Sequence, residues 1–409
     1  MNAMLPAQTS PASEISAQGL RTGPLLCAPE AVRTVFIVTI MAACAPLLAG
    51  ILFFGWRAAV IAAVCVCSCI FIEKLYYLVT RMPALTGRTH ACLTGVLLAL
   101  TMPPTAPWYV ALVASAFAVI VGKAVFGGVG HFLWQPALVG RLAAAVLFAG
   151  TMNPECWPVL AQDQLLWGDV RQGAHVPDGH PWRGQPAPDG ADAFMVRRPD
   201  VVLKDLGPSN PQYSGIAYLP SPQKVPHAAG TALAKMPAMS DMLLGAVPGN
   251  FGETSAIMIV IAGLYLIYRN YLKWQLPVAM LVSAGVVAAA APVFLLGADD
   301  TVITLWWPML HEEGEVVLIY IMYRILSGGI VLSAFFLAGE MTSRPIGTTG
   351  QILFGIGAGS IAMLLQMYVA TPIPAYLAVL AMNTFTPLLD RTWRPRVLGE
   401  SRLDWILRR

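Results

Sequence analysis

Long apolar segments constrain the fold of this chain more than any other feature. Of its 409 residues, 57% are hydrophobic and 11% are charged, whereas an ordinary soluble domain has about 25% charged residues. Several apolar runs approach or exceed the roughly 20 residues that a helix needs to cross the hydrocarbon of a bilayer. A membrane β-barrel would instead show alternating strands of about ten residues. We therefore predict an all-α integral membrane protein.

Ten membrane spans can be drawn along the sequence. Residues 1–32 are largely polar and lack the apolar core of a cleavable signal peptide, so the first span is expected to serve as the insertion signal. The third span is short and ends at Pro103-Pro104. The predicted spans are 34–56, 58–79, 90–104, 107–126, 133–150, 253–271, 275–297, 318–339, 349–369 and 374–390.

Lysine and arginine collect at alternate ends of these spans. Lys74 and Arg81 follow the second span, Arg269 and Lys273 follow the sixth, and an arginine-rich tail follows the tenth. The opposite loops are neutral or acidic. Because basic loops face the cytoplasm, we predict that these ends and both termini are cytoplasmic.

This topology divides the chain into two halves of five spans that run in opposite directions, as in proteins built from inverted repeats. No convincing sequence identity links the halves. The segment between them lies outside and contains several aromatic residues, so it is either an irregular excursion over the bundle or a docking surface. The predicted regions are a cytoplasmic tail 1–33, a first half 34–150, an extracytoplasmic loop 151–242, a second half 243–390 and a basic tail 391–409.

Several function classes find no support in the sequence. The seven cysteines include no C-x-x-C, and the six histidines are scattered without ligand spacing, so no metal centre is predicted. There is no P-loop, no G-x-G-x-x-G motif and no nucleic-acid-binding patch.

Ionisable residues inside or at the ends of the spans are candidates for ion coupling, because burying such groups in a membrane is costly. The candidates are Glu73 in the second span, Glu253 at the start of the sixth and Glu340 at the end of the eighth. Structural alternatives remain open. Lys123 could extend to the cytoplasmic face, Arg324 could pair with a backbone carbonyl, and Glu340 could face water.

Irregular connections at matching cytoplasmic positions indicate a binding site between the halves. Residues 123–137 and 340–350 interrupt the apolar pattern, and such backbone is tolerated near a membrane when it is buried in protein or lines a cavity. Tight connections with helix caps are the alternative. The candidate ligand contacts in these turns and in the turn before the sixth span are Gly127, Gly128, Gly130, Gln135, Gly252, Glu253 and Thr254.

Four segments resemble the signature blocks of a known family. They are Leu93–Leu100 with Pro103-Pro104, Lys123–Ala137, Gly249–Ser255, and Leu380–Asn383 with Pro387–Asp390. Over roughly residues 33–400, apart from the outer loop, the chain resembles the RnfD/NqrB family. Its members are homologous membrane subunits of the Rnf electron transport complex and of the sodium-translocating NADH:quinone oxidoreductase, Nqr. Residues 53–56 and 394–397 are closer to the Rnf branch.

This resemblance implies a ten-helix subunit of a redox-driven ion pump in the bacterial inner membrane. Family members carry an FMN joined by a phosphoester to a threonine on the outer side, and often a noncovalent riboflavin. The matching stretch here, Ala228–Ala234, places the FMN on Thr231 between Gly230 and Ala232. Ala228 replaces the usual serine, and Val225 stands where an acidic residue is usual.

The expected function is that of a flavin-carrying electron-relay subunit coupled to Na⁺ or H⁺ movement through Glu73, Glu253 and Glu340. Its partners would be other membrane subunits, extracytoplasmic subunits that bear flavin or iron–sulfur clusters, the lipid bilayer and a quinone. The chain would not be catalytic alone, since it has no NADH site of its own. A flavin-free scaffold subunit and a secondary transporter with inverted repeats remain alternatives, as do both family branches and both coupling ions.

Overall fold

The computed structural model describes residues 31–81, 89–161, 165–171, 173–176, 191–204, 236–296, 302–305, 314–369 and 371–393. The predicted flavin-attachment stretch, with Gly230, Thr231 and Ala232, lies outside these residues. Most of both predicted tails does as well.

Helices occupy all five predicted spans of the first half. The fourth helix continues into a π-helical turn, and the fifth begins with proline at its first position, where the missing amide proton costs nothing. The elements are α1 Val32–Phe54, α2 Trp56–Thr80, α3 Thr89–Leu100, α4 Trp108–Val119 with the π-turn Ile120–Ala124, α5 Pro136–Leu147 and α6 Ala149–Met152.

The outer segment contains strands, so the prediction of an all-α protein was wrong. The strand β3, Ala193–Val196, lies between β1, Trp157–Leu160, and β2, Gly173–His175. It pairs antiparallel with β1 and parallel with β2. Two short helices follow, α7 Pro199–Lys204 and α8 Met239–Leu244. Its described part is therefore not a wholly irregular excursion.

The second half repeats the helical pattern and adds a hairpin. Proline again begins the last helix, and the predicted eighth span is bent by 67° between its two parts. The elements are α9 Ala256–Tyr268, α10 Gln275–Ala290, β4 Val293–Leu296, β5 Val302–Leu305, α11 Gly314–Leu326, α12 Ile330–Leu332 with the π-turn Ser333–Leu337, α13 Thr348–Tyr368 and α14 Pro374–Thr392.

Several observed helices are shorter than the predicted spans. Three helices, α1, α2 and α13, are long and apolar enough to cross a membrane, and the bent pair α11 and α12 makes a fourth. The third predicted span ends as a helix at Leu100, before Pro103-Pro104. The sixth begins at Ala256, so Glu253 precedes the helix and does not belong to its first turn. Helices that stop short of full length leave irregular backbone inside the bundle.

Packing follows a similar order in the two halves. In the first half α2 packs on α3 and α4, and α4 packs on α5; in the second half α10 packs on α13, and α13 packs on α14. Small residues permit this close approach, as in membrane bundles generally. Gly95 lies against the backbone of Val66, and Gly359 lies against that of Met280. Contacts between α1 and α9, and between α5 and α14, join the halves.

Candidate functional site

Two short helices, α3 and α12, run in opposite directions at the junction of the two halves. We call them the short helix pair. Close to the C-terminus of α3, the Leu100 carbonyl accepts a hydrogen bond of 2.8 Å from the Gly252 amide, and the Met102 carbonyl accepts one of 3.1 Å from Phe251. The start of α12, Gly329, lies against the neighbouring Glu253. At the opposite ends, His90 of α3 lies beside Glu340, which follows α12.

The Glu253 carboxylate is surrounded by donors from three elements. Its Oε1 accepts a hydrogen bond of 2.5 Å from the Tyr376 hydroxyl on α14. Its Oε2 accepts one of 3.2 Å from the Asn250 amide and lies 3.6 Å from Nη2 of Arg198. We call Glu253, Tyr376, Asn250, Arg198 and Asp200 the Glu253 cluster. All five are buried, so this carboxylate is held by protein groups and does not face lipid.

Arg198 brings the outer segment into this cluster. Its guanidinium lies 2.9 Å from Asp200, donates to the carbonyl of Pro372 and covers the ring of Trp157 at 4.9 Å. Burial lowers the pKa of Arg198, but attraction from Asp200 and Glu253 outweighs it, so its pKa lies above the usual range. Arg198 therefore stays charged and ties the sheet-bearing segment to the end of the bundle.

A second cation lies beside the C-terminus of α3. Arg141 on α5 is fully buried and donates from Nε to the Thr101 carbonyl at 2.8 Å. Its two terminal nitrogens have no hydrogen-bond partner among the described residues. A cation there complements the negative end of a helix dipole. Its donors also remain free for a ligand or ordered water.

The second acidic site links α2, α3, α4 and the segment after α12. Lys123 lies 2.8 Å from both carboxylate oxygens of Glu73. Glu340 is close enough to attract Lys123, and its Oε1 lies 3.3 Å from Nε2 of His90 and 3.1 Å from the Thr342 hydroxyl. We call Glu73, Lys123, Glu340, His90 and Thr342 the Glu340 cluster.

This geometry excludes two of the structural alternatives. Lys123 is 2% exposed and paired with Glu73, so it does not extend to the cytoplasmic face. Glu340 is 6% exposed and does not face water. Arg324 does bind a backbone carbonyl, that of Leu203, at 2.9 Å. Two of the three predicted carboxylates, Glu73 and Glu340, thus belong to one cluster, whereas Glu253 belongs to another.

The irregular segment after α4 has the features of a ligand cradle. Gly127, Gly128 and Gly130 have φ angles of 97°, 103° and 91°, which strongly favour glycine. A Cβ at Gly127 or Gly130 would meet no described atom within 4 Å. Gln135 is fully buried, yet neither atom of its amide has a partner among the described residues. Buried amides are normally bonded, so a missing ligand or water is indicated.

The two remaining candidates in the turn before α9 have structural contacts. A Cβ at Gly252 would approach the carbonyl oxygen of Leu100 to 2.9 Å, so glycine is needed for the turn to cover the end of α3. The buried Thr254 hydroxyl donates to the Phe251 carbonyl at 3.4 Å.

Sequence reasoning missed His90, Arg141, Arg198 and Tyr376. A signal existed for Arg141, since an arginine inside a predicted span has a high cost without a partner. His90 lies at the first residue of a predicted span and offered a weaker signal. Arg198 and Tyr376 gave none, because their role comes from tertiary contact. Within the described part of the chain, no group of three or more His, Cys, Asp or Glu side chains could hold a metal ion.

The sequence profile of the NQR2, RnfD, RnfE family matches residues 20–399. The chain belongs to this family. Membership confirms the resemblance carried by the signature segments. It also extends through the outer segment, where the signature blocks gave no guide.

Similar proteins are subunits of ion-translocating oxidoreductases. The matching subunit of the ion-translocating oxidoreductase complex of Halorhodospira halophila is 30% identical over 94% of this chain and 96% of its own length. The matching subunit of the Na⁺-translocating ferredoxin:NAD⁺ oxidoreductase complex of Acetobacterium woodii is 29% identical over 87% of this chain and 86% of its own. That of the proton-translocating ferredoxin:NAD⁺ oxidoreductase complex of Clostridium ljungdahlii is 30% identical over 81% of this chain and 80% of its own.

Proposed function

We propose that this chain is the flavin-carrying membrane subunit of an Rnf- or Nqr-type complex that couples electron transfer to movement of Na⁺ or H⁺. Its similarity to the matching subunit of an ion-translocating oxidoreductase complex extends over nearly the whole chain. As part of a redox-driven ion translocase, it does not complete the reaction alone.

The observation that carries this proposal is the pair of buried acidic clusters at opposite ends of the short helix pair. Interrupted helices at the interface of two halves are where transporters place substrate and ion sites. Glu253 lies at the start of α12 and Glu340 lies beside the first turn of α3. Each carboxylate therefore approaches the N-terminal, positive end of a helix from the other half.

The proposed membrane arrangement is ten spans in two inverted halves, with the 151–242 segment outside and both termini in the cytoplasm of a bacterium. The parallel order of packing in the two halves supports it. The contact of α1 with α9, and of α5 with α14, is what a pseudo-two-fold axis between the halves would produce. The position of basic residues supports the orientation.

Two flavin sites belong to the proposal. The first is FMN on Thr231, carried by the resemblance of the Ala228–Ala234 stretch. The second is a noncovalent flavin at the cradle of Gly127, Gly128, Gly130 and Gln135, which fits a flat polar ligand because its glycines leave open space and its amide lacks a partner. A bound flavin accepts and releases electrons singly or in pairs, while the protein supplies position and electrostatics.

The chain's own residues would hold charge and exclude water around this chemistry. The Glu253 cluster keeps two cations, Arg198 and Arg141, at the end of the bundle from which the outer segment leaves. The Glu340 cluster keeps two carboxylates and one ammonium on the other side of the short helix pair. A change of flavin charge would alter the affinity of such carboxylates for a cation or proton. Electrons would continue to other flavin- or iron–sulfur-bearing subunits or to a quinone.

In-gel ultraviolet fluorescence of the denatured chain, coexpressed with its flavin transferase, tests the covalent flavin. Wild type should give a fluorescent band that Thr231→Ala abolishes. Thr254→Ala is the matched control, since its hydroxyl is buried and donates to Phe251, and it should keep the band. A band that persists in Thr231→Ala would contradict the assignment. A chain with neither a band nor acid-extractable flavin would instead be a scaffold subunit or a secondary transporter.

A further inference from the structure

His90 is enclosed at the centre of the Glu340 cluster. Its ring is fully buried and packs edge-on against Phe36, with ring centroids 5.0 Å apart, and against Phe132 at 5.5 Å. Its Nε2 lies 3.3 Å from Oε1 of Glu340, an ion-pair distance without the alignment of a full hydrogen bond. On the other edge, Nδ1 lies 3.5 Å from the Thr94 hydroxyl. The imidazole therefore faces one carboxylate and is closed off from solvent.

The charges around His90 do not balance without a further positive charge. Glu73 and Glu340 carry two negative charges, and Lys123 supplies one positive charge. A buried charge without compensation is strongly unfavourable. Arg344, the next cation along the chain, is only partly buried and binds the carbonyls of Gly339 and Tyr271. Water can solvate its charge, so Arg344 does not replace the missing one.

We propose that His90 and Glu340 form a proton-binding site in which the imidazolium of His90 neutralises the Glu340 carboxylate. One proton binds at a ring nitrogen of His90, and its release leaves the cluster with one net negative charge. The site requires no other reactant. Its use in ion translocation rests on the proposed function, but proton binding itself does not.

The surroundings favour a proton over a metal cation. A cavity of about 20 Å³ adjoins Glu340, between α1, α9 and the π-turn after α12, and has room for about one water-sized particle. The Glu340 Oε2 has no hydrogen-bond partner among the described residues. The lining is nevertheless mainly apolar, with Val35, Leu93, Phe335 and Phe336. Hard cations need several oxygen ligands, whereas a proton needs only the imidazole.

Two π-helical turns flank this site, and π-turns occur frequently at functional sites. One contains Lys123 and the other ends three residues before Glu340. Glu73, Lys123 and His90 come from the first half, and Glu340 comes from the second. A proton on His90 would therefore stabilise the contact between the halves, and its loss would weaken that contact.

Nitrogen-15 NMR of the full chain in lipid nanodiscs, with ring-labelled histidine at pH 7 and without Na⁺, tests the proposal. His90→Asn identifies the His90 signals by their loss, and His131→Asn, which removes an exposed ring, serves as the assignment control. Wild type should show both His90 nitrogens at imidazolium positions. Glu340→Gln should move them to the pattern of a neutral ring, because the carboxylate that stabilises the charge is gone.

Three results would overturn the proposal. The first is a neutral His90 ring in wild type at pH 7, and the second is an imidazolium that persists in Glu340→Gln. The third is conversion of His90 to a neutral ring by 100 mM NaCl but not by choline chloride at about the same ionic strength, which would assign the site to Na⁺. Monodisperse elution confirms that each variant is folded. Because the ring state is read regardless of flavin, absence of in-gel fluorescence would leave the result standing.

Discussion

The ammonium group of Lys123 on α4 lies 2.8 Å from both carboxylate oxygens of Glu73 on α2, and both side chains are buried. Removing one partner of such a pair leaves an uncompensated charge, which costs about 3–5 kcal/mol. We expect Lys123→Met to lower the free energy of unfolding by this amount. Reversible unfolding in mixed micelles, followed by tryptophan fluorescence, measures the change.

Two variants test the origin of that effect. Adding Glu73→Gln to Lys123→Met should recover part of the loss, because the buried charge is then removed as well. Lys74→Met on the same helix as Glu73 is the control, since Lys74 is exposed, and it should change stability by at most about 0.5 kcal/mol. A double variant no more stable than Lys123→Met would argue against charge burial as the cause.

Gly329 permits the approach of Glu253 to the start of α12. Its φ is 76°, and a Cβ there would overlap Oε1 of Glu253. We expect Gly329→Ala to destabilise the protein by at least about 1–2 kcal/mol from the left-handed backbone alone. The same unfolding measurement applies. Gly150→Ala is the control, because a Cβ at Gly150 meets nothing within 4 Å; equal effects of the two substitutions would contradict the prediction.

Gln135 provides a test of the noncovalent flavin site. If its amide binds a flavin, Gln135→Leu should weaken binding about tenfold, the equivalent of one hydrogen bond of about 1.4 kcal/mol. Acid-extractable flavin per mole of purified native protein measures this, while the covalent fluorescent band should not change. Gln366→Leu, which removes a hydrogen bond to Ser327, should reduce stability but leave the flavin content intact. A Gln135→Leu variant with unchanged flavin content would exclude this contact.

Arg57 and Asp169 predict a pH dependence of the outer segment. Arg57 donates to both Asp169 oxygens, at 2.6 and 2.8 Å, and this hydrogen bonding holds the pKa of Asp169 below its usual value of about 3.9. The pair therefore contributes stability at any pH above the unfolded value and loses it as pH falls through the folded value.

The measurement is the difference in unfolding free energy between wild type and Asp169→Asn at several pH values. The difference should be constant from about pH 7 to pH 5 and shrink below about pH 4. It should also be smaller at high salt, because the pair is partly exposed. A difference that grows on acidification would contradict the assignment.

Much of the fold follows from apolar pattern and charge position in the sequence. Each of the ten predicted spans contains a helix, because a run of apolar residues must satisfy its backbone internally wherever water is excluded. The family could be recognised from the signature segments. Helix ends were less accurate: α3 stops at Leu100 and α9 starts at Ala256, since hydrogen bonds from one segment to another decide where regular helix gives way.

The composition of the sites depended on contacts that sequence spacing does not encode. Glu340 meets His90, although 250 positions separate them in the chain, and Glu253 meets Tyr376 across 123 positions. The sequence by itself determined a helical membrane protein of a known family with acidic residues in its spans. Only the tertiary structure decided which cation or donor faces each carboxylate, because a buried charge is stabilised by whatever side chain the packing of distant helices brings to it.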